Sequence, residues 1–418
     1  MLATGLGSIG SGLRVAWVTH TLASGGIGPV CQYSAEAAAS IAGWRPTVVS
    51  LHEGTGAWQE DRNGVRYVSL GMAPEAPQEF LSWLAANPQD VLFTNDVSTI
   101  EVCFPYLPNG LLHVIQLHDS AARYLSVAVR HASWVDGVVT VSHHIEDLIA
   151  SRLASTGFGG IVASVHNAAK YPPRPVRTIR RGPLRLLFMG RLDPLVKGVF
   201  DLVPILLCLS RLGVPFALQI VGGRHAGLRE RFVRAGLGPL CIWEGHVAHE
   251  QCYAIAAEND ILLLPSRREP FGMVTIEAMA MGCVPMAYDI VSGSAEIIQP
   301  NRSGVLTPLG KFEMWAKQIQ RLDRNREELH AMSQAAVLRA RDSFSIEALA
   351  QRLKEVVAML QGNVSRYRPH RLSGTPAVQG PIGHATTYHK LAPKVRSWIR
   401  ESVAPYPRLS CWLLRRWA

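Results

Sequence analysis

Paired cysteines and long apolar runs are both missing from this 418-residue sequence. The seven cysteines are scattered and form no C-x-x-C pair, which argues against a zinc site and a disulfide framework and favours reduced thiols. Residues 1–13 lack a basic segment followed by an apolar core, so we expect no signal peptide. The most apolar stretch, residues 199–221, contains two prolines and two charged residues and predicts a helix and a strand, not a membrane span. These features favour a cytoplasmic protein.

Acidic residues are scarce at the C-terminal end of the sequence. Residues 361–418 contain ten basic side chains and one acid, Glu401, which gives this segment a net charge of +9 and leaves +1 for residues 1–360. Within residues 388–418 the cations alternate with Trp, Tyr and Leu, a composition that favours peripheral binding to an anionic membrane surface. A disordered basic extension is the alternative. Because no RNA-binding signature accompanies the charge, we expect no nucleic-acid partner.

The rest of the chain has the composition of a folded protein, with 48% hydrophobic and 18% charged residues. Apolar runs typical of strands alternate with segments of helical spacing, which predicts an α/β fold with doubly wound parallel sheets. The predicted strands are residues 14–19, 47–51, 91–94, 112–117, 137–141 and 161–165, then 184–189, 217–221, 240–243, 261–264 and 284–287. The predicted segments are a first domain at 1–168, a proline-rich linker at 169–183, a second domain at 184–344, a helix at 345–360 and a tail at 361–418.

The most informative segment is E-P-F-G-M-V-T-I-E at residues 269–277. It follows an apolar run at residues 260–266 that predicts a buried strand, and Gly272 marks a turn into a helix. In open α/β sheets, ligands bind at the carboxyl ends of strands, where such turns lie.

This segment offers two kinds of ligand contact. Backbone N–H groups near Phe271, Gly272 and Met273, at the start of the predicted helix, are available to an anion. The carboxylates of Glu269 and Glu277 can accept hydrogen bonds from hydroxyl groups. The segment therefore predicts a ligand with both phosphates and hydroxyls, such as a nucleotide sugar. The alternative is an ordinary strand, loop and helix in which Glu277 is solvated.

The pattern E-P-F-G-x-x-x-x-E-A-M-A-x-G-x-P at residues 269–285 resembles the signature of retaining glycosyltransferases of the GT-B fold, glycosyltransferase family 4. The resemblance covers residues 14–360. It implies two facing Rossmann-like domains with a cleft between them, the first for the acceptor and the second for the nucleotide-sugar donor. It also implies that the helix at 345–360 crosses back to the first domain.

The resemblance implies an activity as well. A sugar would move from a nucleoside-diphosphate sugar to a hydroxyl of a sugar or lipid-linked sugar, in bacterial polysaccharide or glycolipid biosynthesis. Lipid-linked acceptors would place the protein at the inner face of the plasma membrane. No D-x-D-like motif is evident, so we expect no metal, and the donor substrate is the only small molecule required.

Two cations are expected at the donor diphosphate. Arg191 and Lys197 lie in G-R-L-D-P-L-V-K-G at residues 190–198, directly after a predicted strand. Arg offers a bidentate fork and Lys a mobile point charge, and together they would stabilise negative charge on the leaving group. The segment resembles the family motif whose cations hold the diphosphate; two solvated basic residues are the alternative. The resemblance also implies that Glu277 binds the ribose and that Glu269 holds hydroxyls of the donor sugar.

Further contacts are expected at other predicted strand ends. His118 follows the strand at residues 112–117 and, through the family's H-D pair, is expected near the reacting carbon. Gly25 and Gly26 resemble the family's glycine-rich loop over the donor phosphates. Gly222 and His246 resemble positions that face the nucleotide. A tight turn at the glycines and a plain loop histidine at 246 are the alternatives.

Two other functions fit the same pattern. One is a different enzyme class on this fold: a nucleotide-sugar epimerase would turn over the donor without an acceptor, and a phosphorylase would require free phosphate. The other is a non-catalytic sugar- or nucleotide-binding protein. The intact set of Arg191, Lys197, Glu269 and Glu277 argues against the latter.

Overall fold

The structure, a computed structural model, describes residues 12–22, 26–51, 57–70, 76–173, 178–223, 227–367, 369 and 371–373. These residues form two compact units. The first contains the described residues up to Ala168 together with the last helix, from Ile346 onward, and the second runs from Ala169 to Ser345. Gly25 and residues 388–418 lie outside the described residues, so the expectations for them stay predictions from sequence.

The strands and helices are numbered in chain order. The strands are β1 (Leu13–Thr19), β2 (Trp44–Ser50), β3 (Trp58–Arg62), β4 (Val65–Ser69), β5 (Val91–Asn95), β6 (Leu112–Leu117), β7 (Gly137–Thr140), β8 (Ile161–Ser164), β9 (Leu184–Met189), β10 (Phe216–Val221), β11 (Cys241–Gly245), β12 (Ile261–Leu264), β13 (Val284–Asp289) and β14 (Val305–Pro308). The α-helices are α1 (Ile27–Ala39), α2 (Ala76–Ala86), α3 (Ala122–Arg130), α4 (His143–Leu153), α5 (Leu202–Arg211), α6 (Leu228–Arg234), α7 (His249–Glu258), α8 (Met273–Ala280), α9 (Gly293–Ile297), α10 (Phe312–Arg324), α11 (Arg326–Ser343) and α12 (Ile346–Asn363).

The first unit is built on one sheet, which in the described chain has the order β3-β4-β2-β1-β5-β6-β7-β8. All neighbours pair in parallel except β3 and β4. The inner strands are mostly apolar and almost entirely buried because both faces of a parallel sheet are covered. In its core the rings of Trp17 and Phe93, on adjacent strands, stack with their centroids 5.2 Å apart. The predicted parallel sheet of this unit is confirmed.

The last helix belongs to the core of the first unit. Helix α12 packs against α1 and β8. Its buried side chains Leu349, Leu353, Val356 and Leu360 recur at helical spacing and form one apolar face. The helix predicted at residues 345–360 corresponds to α12, which runs from Ile346 to Asn363.

The antiparallel pair β3–β4 was not predicted. Its two strands are joined by Asn63 and Gly64, whose φ angles are 54° and 75°. Positive φ at both central residues is the geometry of a two-residue hairpin turn that Asn-Gly favours. The local signal was therefore present, but β3 is mostly exposed and lacks the apolar run by which the other strands were recognised.

The beginning of the predicted tail packs on the first unit. Asn363 Nδ2 donates to the carbonyl of Gly159 (3.0 Å), and the Tyr367 hydroxyl donates to that of Ala132 (2.9 Å). The Arg371 guanidinium, 6% exposed, donates to the Trp134 carbonyl (2.7 Å) and pairs with the Asp136 carboxylate (3.4 Å). Asn363, Tyr367 and Arg371 thus join the beginning of the predicted tail to this unit.

The second unit is also built on one sheet, with the order β11-β10-β9-β12-β13-β14 in the described chain and parallel pairing throughout. Its predicted strands are confirmed, two of them (184–189 and 261–264) with the bounds observed. The core includes Tyr288 and Trp315, whose rings meet edge to face at 5.3 Å. Among the described residues of either unit, no helix is long and apolar enough to cross a bilayer.

Candidate functional site

The second unit has a topological switch point between β9 and β12. From β9 the chain continues to β10 and β11 on one side, and it returns to β12, which pairs with the other side of β9. The loops that follow these two strands therefore leave the sheet in opposite directions and open a crevice at their carboxyl ends. They contain the two segments singled out in the sequence, residues 190–198 and 265–272.

The loop after β9 is shaped by Asp193. Its Oδ1 atom accepts hydrogen bonds from the N–H groups of Leu195 (2.8 Å) and Val196 (2.9 Å), and its carbonyl accepts one from the N–H of Lys197 (3.0 Å). Gly198 then turns the chain with φ 63°. This turn fixes the direction in which the Lys197 side chain leaves the backbone.

Lys197 meets Glu269 across the switch point. Its Nζ atom lies 2.6 Å from Glu269 Oε2, which also accepts a hydrogen bond from the Ser266 hydroxyl (3.1 Å). The two charged side chains are only 19% and 9% exposed. Lys197 and Glu269, which were both predicted to bind the donor, are therefore in direct contact. Their opposite charges compensate each other at a partly buried position.

Arg267 fastens the two loops together and was not singled out in the sequence. Its guanidinium makes two hydrogen bonds to Asp201, at 2.8 and 2.7 Å, and one to the Pro194 carbonyl (3.1 Å). Tyr288 donates its hydroxyl to the same carboxylate (2.7 Å), and burial beside Asp201 raises the pKa of Tyr288. Asp201 and Arg267 are 66 residues apart, so no local spacing pointed to this pair.

Arg191 contrasts with these paired cations. It follows β9 directly, its side chain is exposed, and no side-chain hydrogen bond or ion pair joins it to another residue in the described part of the chain. An exposed guanidinium at a strand end can pair with an incoming anion without breaking an existing contact.

Glu277 lies in the second turn of α8 and is 6% exposed. Its Oε1 atom is 2.8 Å from Nε2 of His249, the first residue of α7. The hydrogen bond to Glu277, and the carboxylate charge, raise the pKa of His249 above its usual value although burial opposes the shift. Sequence reasoning singled out Glu277 but missed His249.

The start of α8 surrounds Gly272 with polar groups. Gly272 has φ 109°, and a Cβ atom there would lie 2.9 Å from Thr275 Oγ1 and 3.2 Å from Ser294 Oγ. Both hydroxyl oxygens are buried and make no hydrogen bond within the described residues. The Phe271 side chain is buried, with its ring 5.8 Å from that of Phe344, and Met273 is the first residue of α8. The Phe271 side chain is therefore not exposed to a ligand.

Gly222 and His246 lie at the neighbouring strand ends. The N–H of Gly222 donates to the carbonyl of Gly245 (2.7 Å), and the N–H of Gly190 donates to that of Val221 (3.0 Å). Gly222 has φ 159°, and a Cβ atom there would overlap the Gly190 carbonyl. His246 is exposed. The second unit therefore places Arg191, Gly222, His246 and the Glu269–Glu277 segment at one edge of its sheet.

His118 lies in the first unit, directly after β6. Its Nε2 atom is 2.8 Å from Asn95 Oδ1, and the Asn95 amide nitrogen donates to the carbonyls of Val18 and Phe93. These bonds make Asn95 Oδ1 an acceptor, so His118 carries its proton on Nε2 and presents Nδ1 as an acceptor. Burial lowers the pKa of His118 to about 4, which keeps the ring neutral at neutral pH.

Asp96 is a further polar residue of this region that sequence reasoning missed. It follows β5 with φ 51°, in the left-handed region that non-glycine residues seldom adopt. Burial, and secondarily the charge of Asp119, raises the pKa of Asp96 to about 7. An Asn-Asp pair directly after a strand was the available signal. Gly26 lies at the same edge of the sheet, as the N-cap of α1, and no other described residue comes within 4 Å of a Cβ atom added there.

Comparison with known proteins gives a family match that lies within the second unit. Residues 174–339 match the family described as "Glycosyl transferases group 1". Glycogen synthase of Mycobacterium tuberculosis is 30% identical over 211 residues, which cover 43% of this chain and 48% of that protein. The chain thus spans about half the length of this curated relative. D-inositol 3-phosphate glycosyltransferase of Streptomyces avermitilis is 24% identical over 332 residues, covering 75% of this chain and 70% of that protein.

Solved structures resemble both units. Sucrose-phosphate synthase from Thermosynechococcus elongatus matches with a TM-score of 0.69 and 20% identity, covering 84% of this chain and 99% of that one. HepE of Anabaena, in complex with UDP and glucose, matches with a TM-score of 0.65 and 17% identity, covering 83% and 99%. With the two parallel sheets described above, these likenesses show that the chain has the GT-B fold.

Proposed function

We propose that the protein is a retaining glycosyltransferase that moves a sugar from a nucleoside-diphosphate sugar to a hydroxyl acceptor. The acceptor is a sugar or a lipid-linked sugar, in bacterial polysaccharide or glycolipid biosynthesis, and the reaction needs no metal. The observation that carries the proposal is the contact of Lys197 with Glu269 across the switch point, beside the buried Glu277. A match of residues 174–339 to the glycosyl transferases group 1 supports it.

Each end of the donor has a matching group in the second unit. The diphosphate would lie against Lys197 and the exposed Arg191, whose charges stabilise the phosphate that leaves. The ribose would give hydrogen bonds to Glu277, and hydroxyls of the donor sugar to Glu269 and the N–H groups near Gly272. The buried hydroxyls of Thr275 and Ser294 would find partners among the same sugar hydroxyls.

The first unit would serve the acceptor. Because His118 is neutral with its proton on Nε2, its Nδ1 atom can accept a hydrogen bond from a sugar hydroxyl. The sugar hydroxyl that reacts must be held near the anomeric carbon, and such positioning supplies a large part of the rate of a two-substrate reaction. No residue here is assigned as a covalent nucleophile, so we favour attack on the same face as the departing diphosphate.

Analysis of the reaction products tests the proposed transfer. We expect the protein to release nucleoside diphosphate from one of the UDP-, GDP-, ADP- or dTDP-linked hexoses, faster with lipid-linked saccharides present and at the same rate in EDTA. The anomeric signal of the product in NMR should show the configuration of the donor. Conversion of the donor into an epimer, a requirement for free phosphate, or a product of inverted configuration would contradict the proposal.

A further inference from the structure

Beside the expected ribose carboxylate lies a group that the proposed function does not use. His249 begins α7, and its Nε2 atom is 2.8 Å from Oε1 of Glu277. Glu277 is 8% exposed at its side chain, whereas His249 is 45% exposed, so the imidazole covers one side of the carboxylate and faces solvent with its other edge. Within the described chain, Oε2 of Glu277 makes no hydrogen bond to protein.

The two oxygen atoms of the Glu277 carboxylate have different roles in this geometry. One oxygen is fixed by the imidazole N–H, which also holds the χ angles of Glu277 in one orientation. The second oxygen keeps its full capacity to accept hydrogen bonds. A vicinal diol, as in ribose, is the chemistry that such an oriented carboxylate recognises.

We propose that His249 is a positioning residue for the nucleotide, which holds Glu277 for the ribose diol and adds a positive charge to the donor site when protonated. The proposal rests on the proposed function, since it concerns the same donor. It assigns a role to a side chain outside the Glu269–Glu277 segment, on a different helix.

The charges around His249 set the direction of its effect. Glu277 on α8 and Glu250 on its own helix both favour the imidazolium, while burial opposes it. The ring of Tyr253 lies 5.3 Å away, edge to face, and Cys252 nearby has a pKa raised by burial and by Glu277. Because the pKa of His249 is raised, protonation is present below it and lost as pH rises through it. The His249–Glu277 pair then passes from neutral to negative and repels a diphosphate.

Isothermal titration calorimetry tests this with UDP, GDP, ADP and dTDP as probes, using the nucleotide that binds wild type most tightly. Between pH 7 and 9 the second phosphate ionisation, with a pKa of about 6, is largely complete, so the charge on the diphosphate group changes little. We expect the wild-type Kd to be about threefold to tenfold lower at pH 7 than at pH 9, from the charge on His249. In His249→Gln, which cannot be protonated, that difference should disappear. In His249→Ala, which also cannot be protonated, the Kd should be the same at both pH values and about tenfold higher than that of wild type at pH 9, from the lost orientation of Glu277.

The control is His330→Gln. His330 lies in the same unit and bonds an amide, Gln334, instead of a carboxylate (3.0 Å), so this variant should keep the wild-type pH dependence. If wild type binds a nucleotide and His249→Gln keeps both its Kd and its pH dependence, the role of His249 is refuted while the proposed function stands. If folded wild type binds no nucleotide, the proposed function itself is refuted.

Discussion

Replacing Lys197 with alanine is expected to lower the rate of sugar transfer by about a hundredfold to a thousandfold, the cost of losing one preorganised charge at a leaving group. The same change should lower the stability of the second unit. It leaves the Glu269 carboxylate, 9% exposed, with the Ser266 hydroxyl as its only side-chain partner in the described chain. Breaking a buried pair by removing one partner costs about 3 kcal/mol, so the melting temperature should fall by several degrees.

A second variant separates the two effects. In Lys197→Met with Glu269→Gln the buried charges are replaced by neutral side chains of similar size, so stability should recover while transfer stays lost. Lys317→Ala, at an exposed position of α10, is the matched control and should change neither quantity. Transfer by Lys197→Ala within twofold of wild type, on folded protein, would remove Lys197 from the proposed mechanism.

Replacing Gly198 with alanine is expected to destabilise the second unit by more than about 3 kcal/mol, since both backbone strain and overlap with a neighbouring chain segment contribute. Gly198 has φ 63°, and its added Cβ atom would overlap the carbonyl oxygen of Pro265 and lie 2.9 Å from Nη1 of Arg267. The loops after β9 and β12 would have to separate, which would move Lys197 away from Glu269. Transfer activity should therefore fall together with stability.

Gly213→Ala provides the comparison for Gly198→Ala. Gly213 has a similar φ, 70°, but in the described part of the chain nothing lies within 4 Å of the added Cβ atom. Only the strain of the left-handed conformation remains there, a cost of about 1 kcal/mol. Thermal unfolding of both variants measures the difference, and equal losses of stability at the two positions would show that the close approach of the two loops is not what requires glycine at 198.

Local patterns predicted the elements of this fold well where the strands are buried. The apolar run before Glu269 and the glycine after it were enough to predict β12, its turn and α8. Strand β3 was not predicted because it is mostly exposed and has no apolar run, although Asn63-Gly64 is a strong hairpin signal. The hydrophobic pattern of a sequence therefore predicts buried strands, but it does not predict an exposed strand at the edge of a sheet.

The site itself was only partly predictable. Sequence motifs identified Lys197 and Glu269 separately. Their contact joins residues 72 positions apart and depends on the order of strands in the sheet, which the motifs do not show. His249 and Arg267 were missed for the same reason, since each is defined by a carboxylate on another element. Arg371 was grouped with a basic tail by composition, whereas its charge is neutralised by Asp136 in the interior of the first unit.

The central claim is that the second unit binds a nucleoside diphosphate through Glu277. Titration calorimetry of wild type and Glu277→Ala with UDP, GDP, ADP and dTDP tests it most directly, with Glu313→Ala on the exposed face of α10 as the control. We expect wild type and the control to bind one nucleotide alike, and Glu277→Ala to bind it at least about a hundredfold more weakly, from the loss of hydrogen bonds to a charged acceptor. Folded wild type that binds none of the four, or a Glu277→Ala variant that binds as tightly as wild type, would contradict the claim.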